Sequence, residues 1–319
     1  MAAAAQPLPQ TNTSTSGRII RRVLLIIGII ILIVVAFVEI IPFVFTIANS
    51  FKCLPAINAH PWAFIPVPPF GVDCVQDGIP LPANATVQGL TFNPSLDGYR
   101  TVIAQDLPRW FMNSIIFSVA ITICRLITDS LAGYSLARLK YIGNRVIFFI
   151  ILGTLMIPGV VLIIPRFIML QQLGLLNTYQ GLIIVLASDA FGIFLMKQFF
   201  ENVPHEIEEA AQVDGASRFT TFARIILPMA TPALVALTIF SFQGQWNNFM
   251  DALIIIGSNP LLWTLTLGLS SLQGVSGETL IWNMFLAGSV ITTIPLAIVF
   301  FSFQRYFVEG TAYSGLAGQ

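Results

Sequence analysis

The feature that most constrains this chain is an apolar run from Val23 to Ala48, long enough to cross a bilayer with some tilt. Arg18, Arg21 and Arg22 precede it, and a basic flank is retained on the cytoplasmic side of a membrane helix. The run is too long for a signal peptide and lacks a small-residue cleavage site, so it reads as a retained first helix. Comparable stretches follow at about Trp110–Ala137, Val146–Ile164, Gln180–Phe199, Met229–Ile256 and Ile281–Phe303. Pro158 and Pro165 are expected to kink or end the third. The predicted fold is therefore an all-α polytopic membrane protein with six transmembrane helices. Both termini then lie inside the cell, with Arg138, Lys140, Arg145, Arg218, Arg224 and Arg305 on that side and Lys52, Arg100, Arg109 and Arg166 outside.

Composition agrees: 56% of residues are hydrophobic and 9% charged, against roughly a quarter charged in a soluble domain. A formal net charge of zero gives no reason to expect a nucleic-acid partner, and the lipid bilayer is the expected surroundings. Cys53, Cys74, Cys124, His60 and His205 are not spaced as metal ligands, so no metal site is expected. No GxxxxGK[ST] phosphate loop occurs, so any energy from ATP must come through a partner.

The expected organisation is a disordered tail over 1–17, a first helix over 18–48, and an extracytoplasmic loop over 49–109. A five-helix core over 110–305 and a short tail over 306–319 complete it. Cys53 and Cys74 fall in the loop, on the oxidising side, as either a disulfide or two free thiols. Between Gly257 and Leu280 a second outer loop has room for a short re-entrant or interfacial helix.

Between the fourth and fifth spans lies a polar island, ENVPHEIEEAAQVDGASRFTTFARIILP, from Glu201 to Pro228. With Lys197 it holds eight of the thirty acidic and basic residues. Pro204 suits a first helical position, and Glu206, Glu208 and Glu209 suit the early turns, where the helix dipole favours anions. Ile207, Ala210, Ala211 and Asp214 form a stripe at helical spacing, and Gly215 is free to take positive φ in a turn. Ser217 then caps a second short helix with Phe219, Phe222 and Ile226 on one face, ending at Pro228.

Glu209-Ala210-Ala211, three residues, Gly215, nine residues, then Ile225 and Leu227-Pro228 resembles the EAA signature of permease subunits of ATP-binding-cassette importers. With Pro204, Glu206, Asp214-Gly215-Ala216-Ser217 and Pro232 it is similar to the carbohydrate-uptake branch, and to the smaller permease of maltose-type transporters. From about Cys53 to Leu90 the resemblance lapses, as if an insertion were present. The resemblance implies the type I importer permease fold, with residues 200–228 as a cytoplasmic coupling loop. Glu208, Glu209, Ala210, Ala211, Asp214 and Gly215 would meet an ATPase subunit, Glu209 as polar anchor and Gly215 as tight turn. It further implies a homologous second permease, two ATPase subunits that carry the ATP, an extracytoplasmic solute-binding protein, and no cofactor or catalysis on this chain.

Two other polar sets stand inside apolar spans. Arg125 and Asp129, four residues apart on one helical face, are expected as an intramembrane charge pair that locks helices together or lines the route. Asp189 is either near the path or satisfied by neighbouring backbone. On the fifth span Gln243, Trp246, Asn247 and Asp251 are candidates for a sugar path, because amides beside an aromatic ring match hydroxyls and C–H faces. The same amides could equally join helices in lipid. An ion-gradient-driven secondary transporter, with Arg125, Asp129, Asp189 and Asp251 as coupling charges, is the alternative function; the internal repeat common in that class is not visible. A non-transporting scaffold is a third.

Overall fold

The computed structural model describes residues 15–59, 62, 75–76, 79–80, 82, 85, 94–272 and 281–316. The chain divides after Pro94 into two units, each described by itself. His60, Cys74 and the greater part of the insertion expected over 53–90 lie outside the described residues, as does most of the tail expected over 1–17.

The first unit is dominated by α1 (Thr15–Ser50), apolar on all sides and exposed along nearly its whole length. A helix hydrophobic all round belongs in lipid. Its last turn is polar and buried: the Asn49 amide donates to Phe45 O at 2.8 Å, and Lys52 Nζ donates to Asn49 Oδ1 at 2.7 Å. Burial lowers the Lys52 pKa to about 8. Cys53 is disulfide-bonded, and α2 (Leu54–Ala59) follows. Two two-residue strands, β1 (Val75–Gln76) and β2 (Ile79–Pro80), pair antiparallel.

The second unit is built round α4 (Leu107–Arg138), a continuous span preceded by α3 (Asp97–Ala104). After it come α5 (Asn144–Leu155), a 3-10 turn at Gly159–Leu162, α6 (Ile163–Gln172), α7 (Tyr179–Val185) and α8 (Ala190–Glu201). The polar island forms α9 (His205–Val213), α10 (Arg218–Thr221), a π-helical turn at Phe222–Ile226 and α11 (Leu227–Met229). The chain closes with α12 (Thr231–Trp246), α13 (Met250–Ile256), α14 (Leu265–Ser271) and α15 (Trp282–Leu316). Among the described residues three helices are long and apolar enough to span a membrane, and three bent pairs bring the total to as many as six.

The third span breaks at Pro158, as expected: α5 and the segment from Gly159 to Gln172 meet at 101° beside that proline, which has no N–H to donate and biases the residue before it away from the helix. Other boundaries differ from the sequence reading. The fourth breaks over residues 186–189, with a 46° bend. The fifth breaks over residues 247–249 into α12 and α13. The end of the expected loop 49–109 is α3, which packs on α15 and whose Asp97 Oδ2 accepts from Asn283 Nδ2 at 3.2 Å. Helix α15 continues past Phe303 to Leu316. The short helix expected in the outer loop is α14.

Helix α4 joins three apolar clusters. Phe117 and Ile121 pack with Leu170, Leu182, Leu186 and Ile255 on the side away from the polar island. Tyr134 packs with Met196, Phe200, Phe222, Ile226 and Leu237 on the island's side. Leu107 and Trp110 pack with Trp246, Leu265, Leu269 and Met284 beneath α14. Asn113 of α4 secures that last region: its Nδ2 donates to Leu261 O at 2.9 Å and Trp263 O at 3.0 Å, and its Oδ1 accepts from the Tyr179 hydroxyl at 2.7 Å. Ser114 Oγ accepts from Leu265 N at 2.7 Å.

Candidate functional site

The polar island folds as a helix, a turn and a second helix for local reasons. Pro204 precedes α9 in extended conformation rather than opening it, so the helix starts one residue later than expected. Glu206 and Glu208 lie in the first turn, where free N–H groups favour anions. The end of α9 is a Schellman motif: Ala216 N bonds Ala211 O at 2.9 Å, Gly215 N bonds Gln212 O at 3.0 Å, and Gly215 sits at φ +84°. That φ is open to glycine and strained for other residues. Ser217 Oγ then accepts from Thr220 N at 3.2 Å and caps α10. The second helix does not stop at Pro228. The turn ahead of that proline widens to π geometry, and the helix runs on to Met229.

The faces of α9 differ from the expected stripe. Glu208 and Ala211 are buried with Ile207 half-buried, while Ala210 and Asp214 are exposed beside Glu206, Glu209 and Gly215. Val213, on the same outer surface, is 87% exposed. Glu208 therefore does not share a free surface with Glu209. It turns in toward Arg138 at the end of α4, with Nε and Oε1 3.3 Å apart and side-chain exposures of 1% and 11%. Arg138 also donates to the carbonyls of Phe200 and Val203 and lies 2.8 Å from His205 Nδ1. One arginine thus binds the end of α8, the start of α9 and the buried acid of α9 to the longest internal span. On the second helix Phe222 and Ile226 are buried, while Phe219 is 70% exposed and meets Phe222 only at the edge of the cluster, with ring centroids 6.4 Å apart.

The four residues expected along a sugar path separate into two pairs. Gln243 near the end of α12, Asn247 in the break that follows and Met250 at the start of α13 are all exposed. Trp246 is buried; its indole N–H donates to Thr292 O at 3.0 Å, and its ring stacks on Phe242 at 5.6 Å. Asp251 pairs with Arg166 of α6 at 2.8 Å, and Asn248 donates to its other oxygen at 3.1 Å. Trp246 and Asp251 are thus engaged in internal packing.

The expected pairing of Arg125 with Asp129 is also corrected. Arg125 Nη1 lies 3.9 Å from Asp189 Oδ2, whereas Asp129, fully buried, accepts from Ser188 Oγ at 2.7 Å and from Asp189 N at 3.1 Å. Both residues of α4 face one break in the neighbouring span, and each takes its close partners there. Arg138 and Arg166 carry roles that sequence reasoning missed, Arg138 having been assigned to a basic flank inside and Arg166 counted among the bases outside. The available signal was weak: Arg138 sits beside Lys140 and Arg145 like any flanking base, and only Arg166 is a lone base in an apolar stretch.

Residues 129–313 match the model of a family described as binding-protein-dependent transport system inner membrane component. The arabinooligosaccharides transport system permease protein AraQ of Halalkalibacterium halodurans is 35% identical over 209 residues, which cover 66% of this chain and 74% of AraQ. The trehalose/maltose transport system permease protein MalG of Thermococcus litoralis is 31% identical over 306 residues, covering 94% of this chain and 99% of MalG. A chain in the crystal structure of a bacterial transporter that imports the acidic polysaccharide alginate superposes with a TM-score of 0.72 over 95% of this chain and all of that one, at 23% identity. That last likeness speaks to the fold.

Proposed function

The chain belongs to the family of binding-protein-dependent transport system inner membrane components, and from that premise we propose that it forms half of the translocation pathway of an ATP-driven sugar importer. A homologous second permease supplies the other half. Two ATPase subunits bind and hydrolyse ATP below, and an extracytoplasmic solute-binding protein delivers the sugar above. This chain performs no bond chemistry. Both of its termini lie in the cytoplasm, in accord with the basic residues near Arg18–Arg22, Arg138–Arg145 and Arg218–Arg224.

The observation that carries the reading is the two-sided character of α9. Its inner face is tied to α4, α8 and the start of α9 itself through Arg138, while Glu209, Ala210, Val213 and Asp214 stand free on its outer face. A nine-residue helix is too short to be stable alone. Anchored on one side and open on the other, it suits a docking knob. Closure of the ATPases would move the knob, and Arg138 would pass the displacement to α4.

A sugar is the solute best supported, because relatives named for arabinooligosaccharide and trehalose/maltose transport match over most of their length. Gln243 and Asn247 contribute exposed amides at the end of α12 and in the break that follows, able to donate and accept toward hydroxyls. The ion-gradient alternative is less well supported: Arg125 faces Asp189, Arg166 faces Asp251, and Asp129 is hydrogen-bonded by Ser188. Uptake into vesicles bearing the assembled transporter tests the choice. Uptake that requires ATP inside and binding protein outside supports the importer. Uptake driven by an ion gradient alone refutes it.

A further inference from the structure

The break between α7 and α8 is the least expected feature of the second unit. Residues 186–189, Leu-Ala-Ser-Asp, contain neither glycine nor proline, yet the helix bends by 46° there. Interrupting a helix in hydrocarbon leaves backbone groups without partners, and such a segment persists only where neighbouring protein supplies them. One stretch of α4 supplies them here. Arg125 Nε donates to Leu186 O at 2.9 Å, and Thr128 Oγ1 lies 2.8 Å from Ala187 O, its one proton shared between that carbonyl and Cys124 O of its own helix at 2.9 Å. Asp129 Oδ1 accepts from Ser188 Oγ and from Asp189 N, and Arg125 Nη1 approaches the Asp189 carboxylate. Every residue of the break is thus held from α4.

The fit on the far side of Asp129 is equally close. A Cβ built on Gly192 would stand 2.1 Å from Asp129 Oδ2 and 2.9 Å from Leu237 Cδ1, so α8 and α12 enclose the carboxylate. The two halves of the broken span belong to different packed groups. Leu182 of α7 and the adjoining Leu186 lie in the cluster away from the polar island. Met196 and Phe200 of α8 lie in the cluster that includes Phe222 and Ile226 of the island.

We infer that Arg125, Thr128 and Asp129 are positioning residues that stiffen the break, so that movement of α9 and α8 is carried across to α7 and α13 instead of being absorbed between them. The inference rests on the importer reading, in which α9 is where force enters. Its particular content is that a hydrogen-bonded bracket in the middle of the membrane sets how much uptake each ATP hydrolysed yields.

Thr128→Val keeps the side-chain shape and removes the hydroxyl that serves Ala187 O; Thr128→Ser restores a hydroxyl. Both are assembled into the complete transporter in vesicles, and uptake and ATP hydrolysis are measured on the same preparation. Thr128→Val is expected to hydrolyse ATP within about twofold of the parent and to lose about tenfold in uptake per ATP, the effect of leaving a half-buried acceptor unpaired. Thr128→Ser is expected to recover most of that loss. Ser188→Ala, which removes a donor to Asp129 from the other side of the bracket, should behave like Thr128→Val and serves if that variant does not assemble. An unchanged ratio in the two hydroxyl-deficient variants overturns the inference, as does a loss that Thr128→Ser shares in full. So does a parallel fall of uptake, hydrolysis and assembled complex, which marks a purely structural role. ATP-independent uptake by the parent would instead sink the importer reading itself.

Discussion

Replacing Arg138 with Met should release α9 while leaving the rest of the helical bundle intact. Methionine retains most of the apolar stem but removes the charge, so Glu208 is left 11% exposed without its arginine partner and the carbonyl of Val203 loses its donor, while that of Phe200 keeps only the N–H groups of Asn202 and Val203. Breaking a buried pair by deleting one partner costs about 3–5 kcal/mol. The lower figure, at 1.4 kcal/mol per decade, corresponds to about a hundredfold shift toward the detached state. Detachment lets Glu208 reach water, so the cost should appear as local opening and not as loss of the clusters round Phe117 and Trp110. Amide hydrogen exchange read peptide by peptide would then show residues 206–213 exchanging about a hundredfold faster, with α14 unchanged. A second variant, Arg138→Met with Glu208→Leu, should recover much of the protection, since it removes the stranded charge as well. Protection of α9 within twofold of the parent in Arg138→Met, or an equal loss throughout α4 and α14, would refute the reasoning.

Three further outcomes are expected. Gly215→Val meets no neighbouring atom, so its penalty is the positive φ alone, about 1–2 kcal/mol; the protein should remain in the membrane with uptake uncoupled from hydrolysis, and normal uptake per ATP would count against the turn's role. Asn113→Leu strands the carbonyls of Leu261 and Trp263 and the Tyr179 hydroxyl, and should cost about 3 kcal/mol in thermal unfolding, with protease cleavage appearing between Gly257 and Leu272; an unchanged profile contradicts the anchoring described. Lys52, whose pKa burial lowers to about 8 against 10.5 for a free lysine, binds its proton more weakly when folded, so folding of the first unit gains stability as pH rises from 8 to 10.5 and carries the full burden below 8. Labelling of Lys52 by an amine-directed reagent should show a midpoint near pH 8, and a midpoint near 10.5 would show that the side chain is not buried.

What could be read in the sequence was whatever local chemistry dictates. The turn at Gly215, the cap at Ser217 and the break beside Pro158 each follow from one residue's backbone preference, and each is where that preference puts it. The facing of α9 was not legible, because acids and small residues occur on both of its sides and only Arg138, 70 residues earlier in the chain, selects Glu208 as the inner one. The break over residues 186–189 was hidden for a related reason. Its sequence carries no helix breaker, and its backbone is satisfied by Arg125, Thr128 and Asp129 from a different span. Arg125 and Asp129 looked like a self-contained charge pair because spacing along one helix reveals which side chains share a face, not what faces them. Trp246 and Asp251 were drawn into the sugar path by chemistry that suits sugars, and the structure gives both to packing and ion pairing that no short-range pattern encodes.

The outer face of α9 is the surface that a nucleotide-hydrolysing subunit is proposed to grip. A photoreactive side chain at Val213, followed by illumination of the assembled transporter in its membrane, addresses that directly. A covalent adduct with the ATPase subunit is the predicted product; an adduct with the extracytoplasmic binding protein, or no protein adduct at that exposed position, would contradict it.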